Sequence, residues 1–340
     1  MSFVCACLVV LLHSTPAPAA GSFAWWWCHL LGREGICAIA VPYFFLAAGF
    51  LLAGKMDSPG WWKRETLKRV RSLVVPFYVW MVVYLFFGFG VWFMKGQVFH
   101  QQVCGNPLTS DPLMRFFVLS GLHPTADLGV LWFLRVLFFL VLTSAGWRFL
   151  LCRGRCLVAI LFIVYLGASW LFACSGWNVY AFFDRFLSVR GALYFVVGMA
   201  LRQWGAPFEM TRSRMLFLGV IGVSLLVLKN VFSLQGRYPL SYVTEACTVP
   251  LLMVAVFFLM PTRKWADCLT GNAFAIFLMH NIFLSLVAMA LMAVGLHGRV
   301  DLQLPIMYLR AGVAIGASIC LAWGFRRCFP RSAAVVFGGR

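Results

Sequence analysis

Along this chain the apolar positions do not alternate with polar ones. They run together in blocks separated by short polar, basic or glycine- and proline-containing stretches. A membrane-crossing helix needs about 20 mostly apolar residues, and ten blocks approach that length. They fall at 2–18, 35–54, 73–94, 129–147, 157–174, 190–204, 215–234, 243–260, 273–295 and 305–325. The block 190–204 is short and reads as tilted or interfacial. Isolated strands cannot satisfy their backbone groups in lipid, so each block predicts a helix. The longest stretch outside the blocks, 95–128, contains Phe116–Leu119, a short apolar run able to dip back into the bilayer. No repeat, low-complexity tract or soluble insertion interrupts the pattern. The expectation is one all-α polytopic membrane domain over residues 1–340.

Composition strengthens this reading and closes others. Hydrophobic residues make up 63% of the 340 and charged residues 11%, against roughly 45–50% and about 25% in soluble proteins. The formal charge of +18 comes from 28 Lys and Arg against 10 Asp and Glu. In a soluble protein that excess would suggest nucleic acid; here it marks orientation. With the N-terminus placed in the cytoplasm, the inward loops collect Lys55, Lys63, Arg64, Lys68, Arg69 and Arg71, then Arg148, Arg153 and Arg155, Arg202, Arg212 and Arg214, Arg263 and Lys264, and Arg326, Arg327, Arg331 and Arg340. Basic residues favour cytoplasmic loops, so both termini are expected inside and no nucleic-acid partner is needed. Cys5, Cys7, Cys37, Cys247 and Cys320 lie within apolar runs and no CxxC occurs, so neither a zinc site nor a disulfide-stapled ectodomain is expected.

The N-terminus has two readings. The apolar run at 3–12 followed by the small residues of Pro16–Gly21 is compatible with a secretory signal peptide. No Lys or Arg precedes Arg33, however, so the positive start of such a peptide is missing. The favoured reading is a first transmembrane helix whose cytoplasmic start has been cut off.

An ionisable side chain inside a span is costly and marks a candidate site. His13, Arg135, Glu245, His280 and Arg310 meet that description. Each could equally be structural, as a hydrogen-bonded neutral imidazole or an ion pair between helices. The segment Trp61–Pro76 carries five basic residues before an apolar run. By composition it is an interfacial anchor lying flat, or else a cationic mouth where Arg can fork onto phosphate oxygens. His29, His100, His123 and His297 have no metal-binding spacing, and no GxSxG, Walker A or GxGxxG motif is present.

Six stretches, in order, resemble the acyltransferase 3 family of bacterial membrane O-acyltransferases. They are LVVLLHS at Leu8–Ser14, VPYFFLAAGFLL at Val41–Leu52, KRVRSLVVPFYVW at Lys68–Trp80, LWFLR at Leu131–Arg135, YFVVG at Tyr194–Gly198 and NAFAIFLMH at Asn272–His280. The resemblance implies a stand-alone ten-span core in the bacterial cytoplasmic membrane. The implied reaction moves an acyl group, most often acetyl, from cytoplasmic acyl-CoA to a hydroxyl of a cell-envelope glycan or lipid-linked saccharide. Acetyl-CoA would be a donor substrate, with no permanently bound cofactor and no metal.

By the same resemblance His13 is the catalytic histidine, and a residue titrating near working pH suits proton removal from a hydroxyl. Lys68, Arg69 and Arg71, with Arg64 beside them, would hold the CoA phosphates. Trp132, Arg135, Glu245, His280 and Arg310 would line the substrate channel. Three departures accompany it. The Arg about ten residues before the histidine is absent; the family's RxxR reads Arg69 to Ser72, with Lys68 to Arg71 keeping the spacing; and Ala48 replaces a serine. A transporter or flippase and a catalytically inactive relative stand as the alternatives.

Overall fold

The computed structural model describes residues 2–16, 22–32, 35–94, 129–154, 156–175, 188–204, 211–234, 248, 271–296 and 299–337. All regular secondary structure among those residues is helical, joined by short turns. In chain order the helices are α1 (Ser2–Ser14), α2 (Phe23–Leu31), α3 (Ala40–Ala53), α4 (Trp61–Arg69), α5 (Val75–Phe93), α6 (Trp132–Leu142), α7 (Ser144–Arg153), α8 (Cys156–Ser175), α9 (Val189–Gln203), α10 (Arg212–Leu234), α11 (Ala273–Ala293), α12 (Gln303–Cys328) and α13 (Pro330–Val336). Among the described residues, four stretches are long and apolar enough to cross a membrane: Phe23–Ala53, Trp61–Val91, Ala273–Ala293 and Val300–Cys328. A fifth appears if the pair α6 and α7, bent by 54° at Thr143, counts as one broken span.

Shorter apolar helices, Ser2–Ser14, Cys156–Gly167 and Leu216–Phe232, coincide with three more of the expected blocks, and α9 with a fourth. The expected block 243–260 lies outside the described residues apart from Thr248, as do Phe116–Leu119 and Glu245. Large apolar side chains stay exposed on several helices, among them Phe86, Ile163, Phe217, Val220 and Trp323. In water such a belt would drive aggregation; here it is the lipid-facing skin of a helical membrane protein.

Trp61–Pro76 forms no separate flat anchor. Helix α4 continues through one π-helical turn (Val70–Val74) into α5, where the Val75 N–H bonds the Val70 carbonyl. Pro76 explains the widening. It has no N–H for the Ser72 carbonyl and its ring would clash there, so the helix takes a longer hydrogen-bond step just before it. Leu73, Phe77, Trp80 and Met81 then follow at helical spacing and are all buried.

The closest packing is between α3 and α9. A Cβ on Gly49 would collide with the Phe195 carbonyl, and one on Gly198 with the Leu46 carbonyl. Two glycines therefore let two backbones meet, the device by which membrane helices gain dispersion contact without a hydrophobic driving force. A second group forms where α1 meets α11 and α12: Ala6, Val10, Ala273, Ile276, Leu284, Ala311 and Ala314 share one buried cluster.

Polar contacts define one end of the bundle. Lys55 Nζ pairs with Glu65 at 3.0 Å, Arg148 reaches Asp57 and the Met56 carbonyl, and Arg202 lies over the Phe50 ring. Arg326 donates to Asn272 Oδ1 and the Gly271 carbonyl, at 2.7 and 2.9 Å. This basic end holds the last turns of α3, α9 and α12 and the first turns of α4 and α11. At the opposite end Trp27 Nε1 donates to Tyr308 Oη at 2.6 Å, and Arg190 to the Ala38 carbonyl at 3.1 Å.

Candidate functional site

Helical periodicity brings two histidines together. On α1, Ala6, Val10 and His13 stand at i, i+4 and i+7. On α11, Ile276, His280 and Leu284 stand at i, i+4 and i+8. Residues at these spacings share a face, and the apolar members of both stripes pack in one cluster. The imidazoles of His13 and His280 are consequently neighbours, with ring centroids 5.2 Å apart and planes tilted by 39°. Helix α1 stops just beyond this point, where the hydroxyls of Ser14 and Thr15 both donate to the Leu11 carbonyl, at 2.8 and 3.0 Å. His280 is 0% exposed, whereas His13 is exposed, so the pair joins the interior to an open face.

His280 is held firmly. Its Nδ1 lies 2.9 Å from the Phe277 carbonyl and 3.1 Å from the Ile276 carbonyl. A carbonyl only accepts, so Nδ1 carries the hydrogen and Nε2 presents a lone pair. That Nε2 is buried with no hydrogen-bond partner among the described residues. An aromatic wall adjoins the pair. Phe277 is 6.2 Å from His280, Phe133 is 5.2 Å from Phe277, Phe45 is 4.7 Å from Phe133, and Trp132 is 6.3 Å from Phe45. These ring contacts link Trp132 to the histidines through intervening phenylalanines.

The basic segment divides by direction. Arg64, Lys68 and Arg71 are exposed, while Arg69 is half-buried and Ser72 is buried. Thr66 Oγ1, Arg69 Nε and Ser72 Oγ are all buried without a hydrogen-bond partner among the described residues. They lie at i, i+3 and i+6, which makes a single stripe on α4 and the π turn. Glu65, the acid within this segment, is engaged by Lys55 at 3.0 Å. Sequence reasoning named Arg69 but passed over Thr66. The signal available for it was the repeat of hydroxyl, guanidinium and hydroxyl every third residue.

The remaining channel residues are spread out. Arg135 stands on α6 one turn after Trp132, half-buried with its Nε buried. Arg310 stands on α12 two residues past Tyr308, toward the end opposite the basic one, again half-buried. Glu245 lies outside the described residues. No three His, Cys, Asp or Glu side chains converge as metal ligands among the described residues, and eight cysteines, Cys5 and Cys7 on α1 among them, are free thiols.

Paired imidazoles within a helical membrane bundle that carries a cationic end make a site suited to moving a proton beside an anionic substrate. The sequence profile of one family, described as an acyltransferase domain, matches residues 3–326. The chain belongs to the acyltransferase 3 family and is a membrane acyltransferase. The match ends two residues short of the end of α12, so α13 lies beyond it. No curated protein and no solved structure matches the chain.

Proposed function

We propose that the protein moves an acyl group, acetyl in the first instance, from cytoplasmic acyl-CoA to a hydroxyl of a cell-envelope glycan or lipid-linked saccharide, in the bacterial cytoplasmic membrane. The observation that carries this reading is the meeting of His13 and His280 within a bundle whose one end gathers Lys55, Arg64, Arg148, Arg202 and Arg326. Basic residues favour the cytoplasmic side, where CoA thioesters are made, so the donor enters at that end with both termini inside. His280 stands seven residues into α11 from there, roughly 10 Å along the axis at about 1.5 Å per residue. That depth suits a donor whose nucleotide stays at the surface while its pantetheine arm extends inward.

Arg69 Nε, with the hydroxyls of Thr66 and Ser72, offers unengaged hydrogen-bonding groups to CoA phosphate or pantetheine oxygens. His13 removes the proton of the attacking hydroxyl. The oxygen then bonds to the thioester carbon, the carbon–sulfur bond breaks, and the thiolate takes the proton. Trp132, Arg135 and Arg310, and Glu245 by its place in the sequence, lie along the acceptor's approach. The test is transfer of acetyl-labelled acetyl-CoA into envelope glycans by membranes carrying the protein. Transfer that disappears in His13→Ala is the expected result. An intact protein that transports a glycan lipid and transfers no label would reverse the reading.

A further inference from the structure

Resting on that acyl-transfer reading, we infer that His280 is the second imidazole of the reaction, taking through Nε2 the proton that His13 receives from the attacking hydroxyl. The inference starts from a buried acceptor that lacks a donor. The Phe277 and Ile276 carbonyls hold the Nδ1–H of His280, which leaves Nε2 as the lone pair. Nε2 is buried and unpartnered among the described residues, and native interiors rarely leave a polar atom in that state without a role. The flanking positions on its own stripe, Ile276 and Leu284, are apolar. The hydroxyl that α5 sends to α11, Tyr84 Oη, is already donating to the Leu278 carbonyl at 2.7 Å.

The polar ring that α1 brings against His280 is His13. Two imidazoles joined edge to edge by one N–H···N bond of about 3 Å have centroids about 5 Å apart. The observed separation is 5.2 Å. A small ring rotation closes that bond once substrate engages His13, as catalytic hydrogen bonds commonly tighten only in the complex. The acceptor hydroxyl gives its proton to the lone-pair nitrogen of His13, and His13 passes the hydrogen on its other nitrogen to His280 Nε2. The oxygen forms the ester bond as the carbon–sulfur bond breaks. The proton then returns by the same route to the CoA thiolate. The products are ester and thiol, and both histidines end as they began. His280 here plays the orienting and proton-holding part that a carboxylate plays behind a catalytic histidine, with its own tautomer fixed by peptide carbonyls.

The experiment uses the full chain in lipid nanodiscs with acetyl-CoA and a soluble glycan acceptor, comparing the intact protein with His13→Ala, His280→Ala, His280→Gln and the double alanine variant. The relay expects kcat to fall about 100-fold or more in His280→Ala, with the KM for acetyl-CoA within about threefold. It also expects the double variant to be no slower than the slower single one, because residues acting as a unit are not additive. Gln keeps an oxygen acceptor but cannot take up a proton, so its failure supports the proton step and its full rescue overturns it. His280→Ala active within about threefold overturns the inference while leaving the acyl-transfer reading standing. An inactive intact protein sinks that reading instead, and ¹⁵N-histidine NMR then decides the pair. Nδ1–H on His280, and an Nε2 resonance that moves in His13→Phe, support it. An Nε2–H tautomer, or a resonance unmoved by the change at residue 13, overturns it.

Discussion

Lys68, Arg69 and Arg71 are near neighbours along the chain, yet the helix sends them in different directions. At about 100° per residue, Arg69 turns toward the bundle with Thr66 and Ser72 while Lys68 and Arg71 face outward. Exposed cations are screened and contribute little individually, whereas a half-buried guanidinium with an unengaged Nε interacts strongly with an anion. Arg69→Ala should therefore raise the KM for acetyl-CoA about tenfold or more, and Lys68→Ala or Arg71→Ala by no more than about threefold, as read from initial rates. Restoring the family's second arginine, Ser72→Arg, would place another cation on the inward stripe and should lower that KM if the stripe holds phosphate. His13→Ala should reduce kcat by about 100-fold to 10,000-fold, the range of general acid–base catalysis, without a matching change in KM.

Among the elements, α3 and α9 show how recognisable sequence becomes packing. The stretches VPYFFLAAGFLL and YFVVG carried part of the family resemblance, and their glycines, Gly49 and Gly198, are the points where the two helices touch backbone to backbone. Any larger residue must push the helices apart, so Gly49→Val or Gly198→Leu should cost on the order of 2 kcal/mol or more, as overpacking does. The measurement is a lower melting temperature in detergent together with reduced yield, while Gly88→Ala, where a Cβ would meet nothing within 4 Å, should leave both unchanged. The π turn before Pro76 is a second case. A basic run followed by an apolar run reads equally well as a flat anchor or as the start of a span, because composition is blind to the bend between them. The missing N–H of Pro76 and the buried face of Leu73, Phe77 and Trp80 resolve it into a continuous path from Trp61 to Val91.

For the whole molecule, orientation is the property to test. Cys152 and Cys328 are exposed free thiols near the basic end, the first accepting from Gln203 Nε2 at 3.0 Å. With that end in the cytoplasm, an impermeant maleimide should leave both thiols unlabelled in intact spheroplasts and label them in inside-out vesicles. Labelling of Cys152 from outside would invert the bundle and put the cationic end on the wrong side for a cytoplasmic donor.

Membrane residence, helical class and most helix positions were legible in the order of residues. A bilayer demands long apolar runs with internally satisfied backbones, and both conditions are local. The two histidines were legible as candidates for the same reason, since a polar group within an apolar run is visible without any neighbour. Their pairing was not. His13 and His280 are separated by most of the chain, and only the packing of α1 against α11 makes them adjacent, while the carbonyls of Ile276 and Phe277 on its own helix fix the His280 tautomer. The inward turn of Thr66, Arg69 and Ser72 likewise follows from which face of α4 meets the bundle. A sequence lists its charges in order, but which of them face a ligand depends on helix rotation, and tertiary contact sets that.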